Sequence, residues 1–432
     1  MSIALNKLEE GFVAIWCVLM PVTSLLIIPS IKGTTLAYIF AFLSVAFVLF
    51  RLKTEGLNER NRGYLYLLVI VALIWLALLV GSQAGHIIDD RKSFPGAFLI
   101  NELDDKVMFR SALFTQSLYF AACILIFLYF RYYFREEWMK YVLLGGYLMA
   151  AYGVYEWLYF LVFHQTGDFI ANRVYGEDHP GSWSQTVDFA GLSLLRIKSF
   201  FGEPSFYSAA VILYLITAIK LNRSWLIGLL AFNAFFSTST TCYLALLVCL
   251  LFHIILTPKG RLPGLLFLVI LTCAVIALSQ LYPETFRGMF EDKISGANDS
   301  GHSRMEADLD TKELYNSFSP MNWLFGIGFG YAYNQVGNAI VTNTGIIGFI
   351  VYCLAFLKPV WSLPRQGVYG GYKTCIFGLF FLFNLTLSEF FLATTWMFLG
   401  LAYNKLDELQ RRRLHYSNTE EIINLPSEVR VH

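Results

Sequence analysis

Apolar residues in this chain come in repeated runs of roughly 17–20, each closed by a charged or polar break, and a bilayer core about 30 Å thick takes about 20 helical residues to cross. A chain patterned this way is expected to fold as an all-α, polytopic membrane protein. Its composition agrees: 15% of residues are charged and 56% hydrophobic, against about 25% charged in a typical soluble domain. The formal net charge is only +1, so no bulk attraction to nucleic acid or another polyanion is expected. DNA and RNA binding are set aside.

All seven cysteines fall inside apolar runs, which leaves no disulfide framework and no metal-ligand spacing. No metal or other cofactor is expected. The first run starts near Gly11 behind Lys7, Glu9 and Glu10, and passes Pro21 without a small-residue cleavage signature. It reads as a retained first span and not as a signal peptide.

The expected spans are about Gly11–Ile28, Thr35–Phe50, Tyr64–Val80, Ala112–Phe130, Tyr141–Phe163, Ser205–Ile219, Trp225–Phe236, Tyr243–Leu256, Leu262–Leu281, Asn338–Leu357, Lys373–Phe383 and Phe390–Ala402, about twelve in all. The count depends on two places where the apolar chain must fold back on itself, Ser237–Thr241 and Asn384–Glu389. With the N-terminus inside, the breaks on that side are short and basic. They carry Arg51, Lys53, Arg60, Arg62, Arg131, Arg135, Lys140, Lys220, Arg223, Lys259, Arg261, Lys358, Arg365 and Lys373, followed by Lys405 and Arg411–Arg413 in the tail. The other side receives long segments at about 81–111, 164–204 and 282–337, in which acids outnumber bases five to four, five to three and eight to four. Both observations fit the positive-inside rule with both termini cytoplasmic. The domain expectation is one transmembrane unit over 1–403, with periplasmic loops, and a cytoplasmic tail over 404–432. A bundle that puts its extramembrane mass on the outer face is expected to do its chemistry there.

The second long segment ends in Arg196-Ile197-Lys198-Ser199-Phe200-Phe201-Gly202-Glu203-Pro204-Ser205, directly before an apolar run. Pro204 suits a helix's first turn, whose N–H groups and positive dipole end favour an anion. Arg196 and Lys198 add cationic groups for a lipid-linked phosphate; they also read as snorkelling interfacial anchors. Glu203 could take a proton from an attacking hydroxyl, or stabilise the next helix through its dipole. In the third segment Gly301-His302-Ser303-Arg304 precedes a run of acids, then Tyr315, Phe318, Trp323 and Gly326-Ile327-Gly328-Phe329-Gly330. No strand precedes that glycine run, so it reads as tight turning against the membrane and not as a nucleotide loop. Arg304 is a further phosphate or carbohydrate clamp, or a solvated surface side chain. Aromatic rings such as Tyr315, Trp323, Tyr331 and Tyr333 can stack on sugars, and equally make up an interfacial belt. Glu156 and Glu389 lie within or at the end of expected spans, where an ionisable group invites a functional reading.

Taken in order, an Arg before Phe-Phe-Gly-Glu-Pro-Ser at the head of a span, the Ser/Thr-rich turn Phe236–Thr241, the Gly-x-Gly-x-Gly, and Thr344-Gly345-Ile346-Ile347-Gly348 resemble the Wzy-type O-antigen and capsular polysaccharide polymerases, related to the O-antigen ligases. The resemblance implies a metal-independent glycosyltransferase of the bacterial inner membrane, active at the periplasmic face on undecaprenyl-diphosphate-linked oligosaccharides. It implies that Arg196, with Lys198 and Arg304, neutralises the departing diphosphate while an acid or imidazole activates the acceptor, with a chain-length-determinant co-polymerase as partner. The related ligases carry a His between the long loop and the next span. Here residues 330–338 have none, which favours polymerase and leaves Glu203 and His302 as base candidates. The rival class is a transporter or flippase of lipid-linked saccharide. Transporters are commonly built from repeats and broken helices around a midplane site, and the chain shows no internal repeat.

Overall fold

The structure is a computed structural model that describes residues 3–29, 31, 33–173, 185–189, 192–256, 261–283, 287 and 309–418. Each of the twelve apolar runs falls on a helix. In chain order these are α1 (Ile3–Leu19), α2 (Leu36–Glu55), α3 (Glu59–Ile88), α4 (Ser111–Tyr132), α5 (Met139–Phe163), α6 (Pro204–Lys220), α7 (Ser224–Phe236), α8 (Thr240–Leu256) and α9 (Arg261–Leu281). A six-residue α10 (Pro320–Phe325) precedes α11 (Val336–Ser362), α12 (Gly367–Leu385) and α13 (Ala393–Asn418).

Several boundaries differ from the sequence expectation. The first span was placed at Gly11–Ile28, but α1 stops at Leu19 because Pro21 disfavours helix in the residue before it. Residues beyond it fold back, with Leu26 bridging Thr35. The loop expected from residue 81 begins as helix, since α3 runs to Ile88, and the tail expected from 404 continues α13 to Asn418. The second long loop contains an antiparallel hairpin, β1 (Thr186–Phe189) on β2 (Leu192–Leu195), with Thr186 opposite Leu195.

Five helices, α2, α3, α4, α11 and α12, are long and apolar enough to cross a bilayer. For α3 the most apolar window has a mean hydropathy of 2.7, yet only 11% of it is buried by protein. So much uncovered apolar surface calls for lipid as its solvent, and the protein is a membrane protein. At the centre stands α6, buried almost throughout from Phe206 to Ala218. Small residues let the helices close on one another: a Cβ at Gly145 of α5 would lie 2.6 Å from the Cys17 carbonyl oxygen of α1.

Helix ends gather at two poles. At one, the basic end, the start of α1 meets the ends of α2 and α4 through Glu9, which accepts from Arg51 Nη2 at 2.6 Å and from Tyr129 Oη at 2.7 Å. Arg131 at the end of α4 is bidentate to Asp407 of α13, at 2.8 and 3.0 Å. At the other, the loop end, backbone bonds dominate. Thr23 and Ser24 N–H donate to Phe200 O, Tyr333 N–H to Phe98 O, and Val336 N–H to Leu387 O. Among the described residues, the breaks after α2, α4, α6 and α11 and the continuation of α13 thus meet at one pole, and the bonded parts of the long segments at the other.

Candidate active site at the loop end

The segment from Arg196 to Ser205 is pinned at nearly every residue. Ile197 N–H donates to Phe236 O at 3.1 Å, fixing the segment to the end of α7. Lys198 is 0% exposed and lies between two carboxylates, with its Nζ 2.9 Å from Glu156 Oε1 and 2.5 Å from Asp168 Oδ2. The second Glu156 oxygen accepts the Ser199 N–H at 2.8 Å, and Ser199 Oγ donates to Met149 O at 2.6 Å. Phe200 stacks on Tyr152 with centroids 4.3 Å apart. The expectation that Lys198 grips a diphosphate is therefore corrected. Its ammonium is enclosed and engaged by two carboxylates, because an unpaired charge at that depth would cost several kcal/mol, on the order of 3–5. Glu156, flagged as an ionisable group inside a span, is the helix-borne partner.

Arg196 stands apart from that knot. Its Nη1 donates to Gln185 Oε1 and its Nε to Ser237 O at 3.3 Å, so it ties the hairpin to the turn between α7 and α8. No hydrogen bond or ion pair joins it to Lys198. Four residues of fixed backbone then lead to Glu203 at the N-cap of α6, with Pro204 in the first turn. Glu203 makes no side-chain cap bond, and accepts instead from Ser205 Oγ.

A second charged cluster at the loop end was only partly visible in the sequence. Arg173, from the same long segment, lies with Nη2 3.9 Å from Glu389 Oε2, and the two side chains are 19% and 22% exposed. Glu389 sits in the non-helical link between α12 and α13, where its Oε1 accepts the Phe391 N–H at 3.1 Å. Tyr333 lies in the electrostatic field of Glu389, Glu203 and Arg173 together, and its hydroxyl shares a hydrogen bond of 2.7 Å with Ser388 Oγ. Burial raises that phenol to about 12, although the side chain is 48% exposed. Tyr38 and Tyr119 stand with ring centroids 6.0 Å apart, both within electrostatic reach of Arg173 and Glu389. One guanidinium, two carboxylates and several phenols are thus collected where α2, α4, α6 and α13 open to the loop end.

The two glycine motifs meet. Gly345 breaks α11 with φ 65° and ψ −169°, a conformation essentially reserved for glycine. The break exposes the carbonyls of Thr342 and Asn343, which accept the N–H groups of Ile327 and Gly328 at 2.8 and 3.3 Å. A Cβ on Gly326 would lie 2.4 Å from backbone of Asn343 and Thr344, and one on Gly345 2.3 Å from Leu324 backbone. The Asn343 amide closes the joint by bonding both Ala332 N and Ala332 O at 2.8 Å. The glycines do turn the chain, as expected, and they also let two backbones touch.

Tyr315 and Trp323 are brought together, with centroids 5.3 Å apart, and Phe318 packs against both. Tyr315 Oη donates to Asn338 O at 3.3 Å. The rings staple residues 309–316 to α10 and α11, leaving Trp323 37% exposed. His302 and Arg304 lie outside the described residues. Among the described residues no group of three His, Cys, Asp or Glu could hold a metal ion.

No protein-family profile, no curated protein and no solved structure matches the chain. Arg173 and Ser388 were not singled out by sequence reasoning. Arg173 is the third base of a segment whose other two, Arg196 and Lys198, sit in the conspicuous motif, and that scarcity is the signal that could have drawn attention to it.

Proposed function

We propose that the chain is a glycosyltransferase of the bacterial inner membrane, crossing it twelve times with both termini cytoplasmic, and that its loop end is the periplasmic, active face. The reaction proposed is polymerisation. The C1–O bond between a growing glycan and its undecaprenyl diphosphate breaks, the electron pair leaves with the diphosphate, and C1 bonds to a hydroxyl of a lipid-linked repeat unit. That hydroxyl's proton passes to a carboxylate. The observation that carries this reading is the cluster at the loop end, where Arg173 pairs with Glu389 and both act with Glu203 on Tyr333, supplying one group for a departing anion and two for a proton. The Wzy-type resemblance supplies the substrate class.

In this reading Arg173 takes the role first assigned to Arg196 with Lys198 and Arg304, and Glu203 is the base, aimed by the knot that fixes residues 196–200. The Arg173–Glu389 pair is long and partly open, and pairs of that kind are worth about 0–1 kcal/mol. A diphosphate can therefore displace Glu389 from the guanidinium. The displaced carboxylate is then available to the acceptor. Donors that meet charge developing on a leaving group contribute about 10²–10³ in rate each.

One observation favours a second reading, transport of lipid-linked saccharide, since broken helices often build transporter sites. The break at Gly345 has its exposed carbonyls occupied by Ile327 and Gly328, which leaves those acceptors no substrate to coordinate. The test is the polysaccharide ladder of a strain lacking the protein. Single-repeat caps are expected. Complete loss of attached repeats would make the protein a ligase, and accumulation of cytosol-facing lipid precursor a flippase.

A further inference from the structure

A polar recess lies at the basic end, away from the groups described above. It has a volume of about 340 Å³ and is walled by Arg60 of α3, Tyr132 of α4, Arg135, and Lys405 and Arg411 of α13. Three carboxylates also line it, and each is already engaged. Glu136 lies 3.2 Å from Lys405, Glu137 3.8 Å from Arg135, and Glu408 2.9 Å from Lys405 and 2.5 Å from Arg412. Two guanidiniums are left over. Arg60 has no hydrogen bond or ion pair among the described residues, and Arg411 has only a 3.4 Å bond to the Asp407 carbonyl. Arg60 also feels the like charges of Arg411, Arg51 and Arg135. The nearest carboxylate to act on it, Glu55, is held by Arg51 and Asn58, each at 2.9 Å.

Guanidiniums that face one another without an ion-paired carboxylate of their own are suited to a phosphate, whose oxygens they hold in a bidentate fork. The depth is also informative. Tyr66 and Val69, 71% and 55% exposed, begin the bare apolar face of α3, and at about 1.5 Å per residue they stand roughly 9–14 Å from Arg60 along the helix. That separation puts Arg60 at the level of lipid headgroups. We infer that this recess is a binding site for a phosphate group presented at headgroup depth, as on an anionic phospholipid.

The test uses the purified full-length chain in mixed micelles, with unfolding temperature followed against rising phosphatidylglycerol, phosphatidylcholine or inorganic phosphate. Phosphatidylglycerol is expected to raise the unfolding temperature saturably, and zwitterionic phosphatidylcholine to do so much less. Arg60→Gln with Arg411→Gln should weaken the apparent affinity at least about 10-fold, the scale of a lost charged hydrogen bond. Arg62→Gln, on an exposed neighbour outside the recess, should leave it unchanged. Arg60→Gln alone, which removes no partner from any carboxylate, serves as the second variant and should show part of the loss. An equal saturable response to inorganic phosphate, lost in the double variant, supports the site with a soluble phosphate as its source. A phosphatidylglycerol response unchanged in both Gln variants, or no response of the wild-type chain to any of the three, overturns the inference.

Discussion

The two poles of the bundle are built around inverse knots of charge. At the basic end one buried carboxylate, Glu9, is held by Arg51 and Arg135. At the loop end one buried ammonium, Lys198, is held by Glu156 and Asp168. The first knot ties helix to helix. The second ties an extramembrane segment to a helix, and the backbone it immobilises runs directly to Glu203. Under the proposed function, the knot at the loop end also aims Glu203, a role the knot around Glu9 does not share. The proposed site is the less tightly closed part, since Arg173 and Glu389 remain partly exposed at 3.9 Å.

The largest effect should come from removing the centre of either knot. Lys198→Met leaves Glu156 and Asp168 buried without their partner, at a cost of about 3–5 kcal/mol, read from denaturation in detergent; Glu9→Gln should cost less, since Arg51 keeps Glu55 and Arg135 is partly exposed. Adding Glu156→Gln and Asp168→Asn to Lys198→Met should recover part of that loss. Only Lys198→Met should also abolish transfer at temperatures where the protein stays folded, because only its knot positions Glu203. Gly345→Ala comes next. It forces a side chain into a glycine-only conformation and should cost about 1–3 kcal/mol, seen as a lowered unfolding temperature and as faster amide exchange at Ile327 and Gly328.

The smallest effect concerns Tyr333, whose phenol is raised by burial to about 12. Below its ordinary value near 10 the phenol is neutral in folded and unfolded chains alike. Between 10 and 12 the unfolded chain gives up the proton and the folded chain keeps it, so stability falls as pH rises through that window. The unfolding temperature of wild type should therefore drop more steeply there than that of Tyr333→Phe, and the two curves should run parallel below pH 10. Parallel curves across the whole range would show that burial does not perturb the Tyr333 phenol.

Much of the architecture could be read from one-dimensional pattern, because apolar run length and helix length are the same physical quantity in a bilayer. The helical character of the apolar runs, the basic breaks among the described residues and the helix start at Pro204 lie where local chemistry puts them. Helix ends were harder. The overrun of α3 carries the buried Ser82, Gln83 and His86, and that of α13 carries Asp407 paired with Arg131, polar residues that pack on protein instead of entering lipid. The site was the least legible part. Lys198 looks like a free cation until Asp168 and Glu156 arrive from elsewhere in the chain, and Arg173 acquires meaning only beside Glu389, which folding brings from the far side of the sequence. The glycine motifs announced turning, but not that each makes room for the other's backbone.

The most direct test is elongation of a purified lipid-linked repeat unit by the full-length protein in a bilayer, comparing wild type with Arg173→Ala. The account predicts that Arg173→Ala keeps its unfolding temperature and loses about 10²–10³ in elongation rate. Wild-type elongation by Arg173→Ala would contradict it.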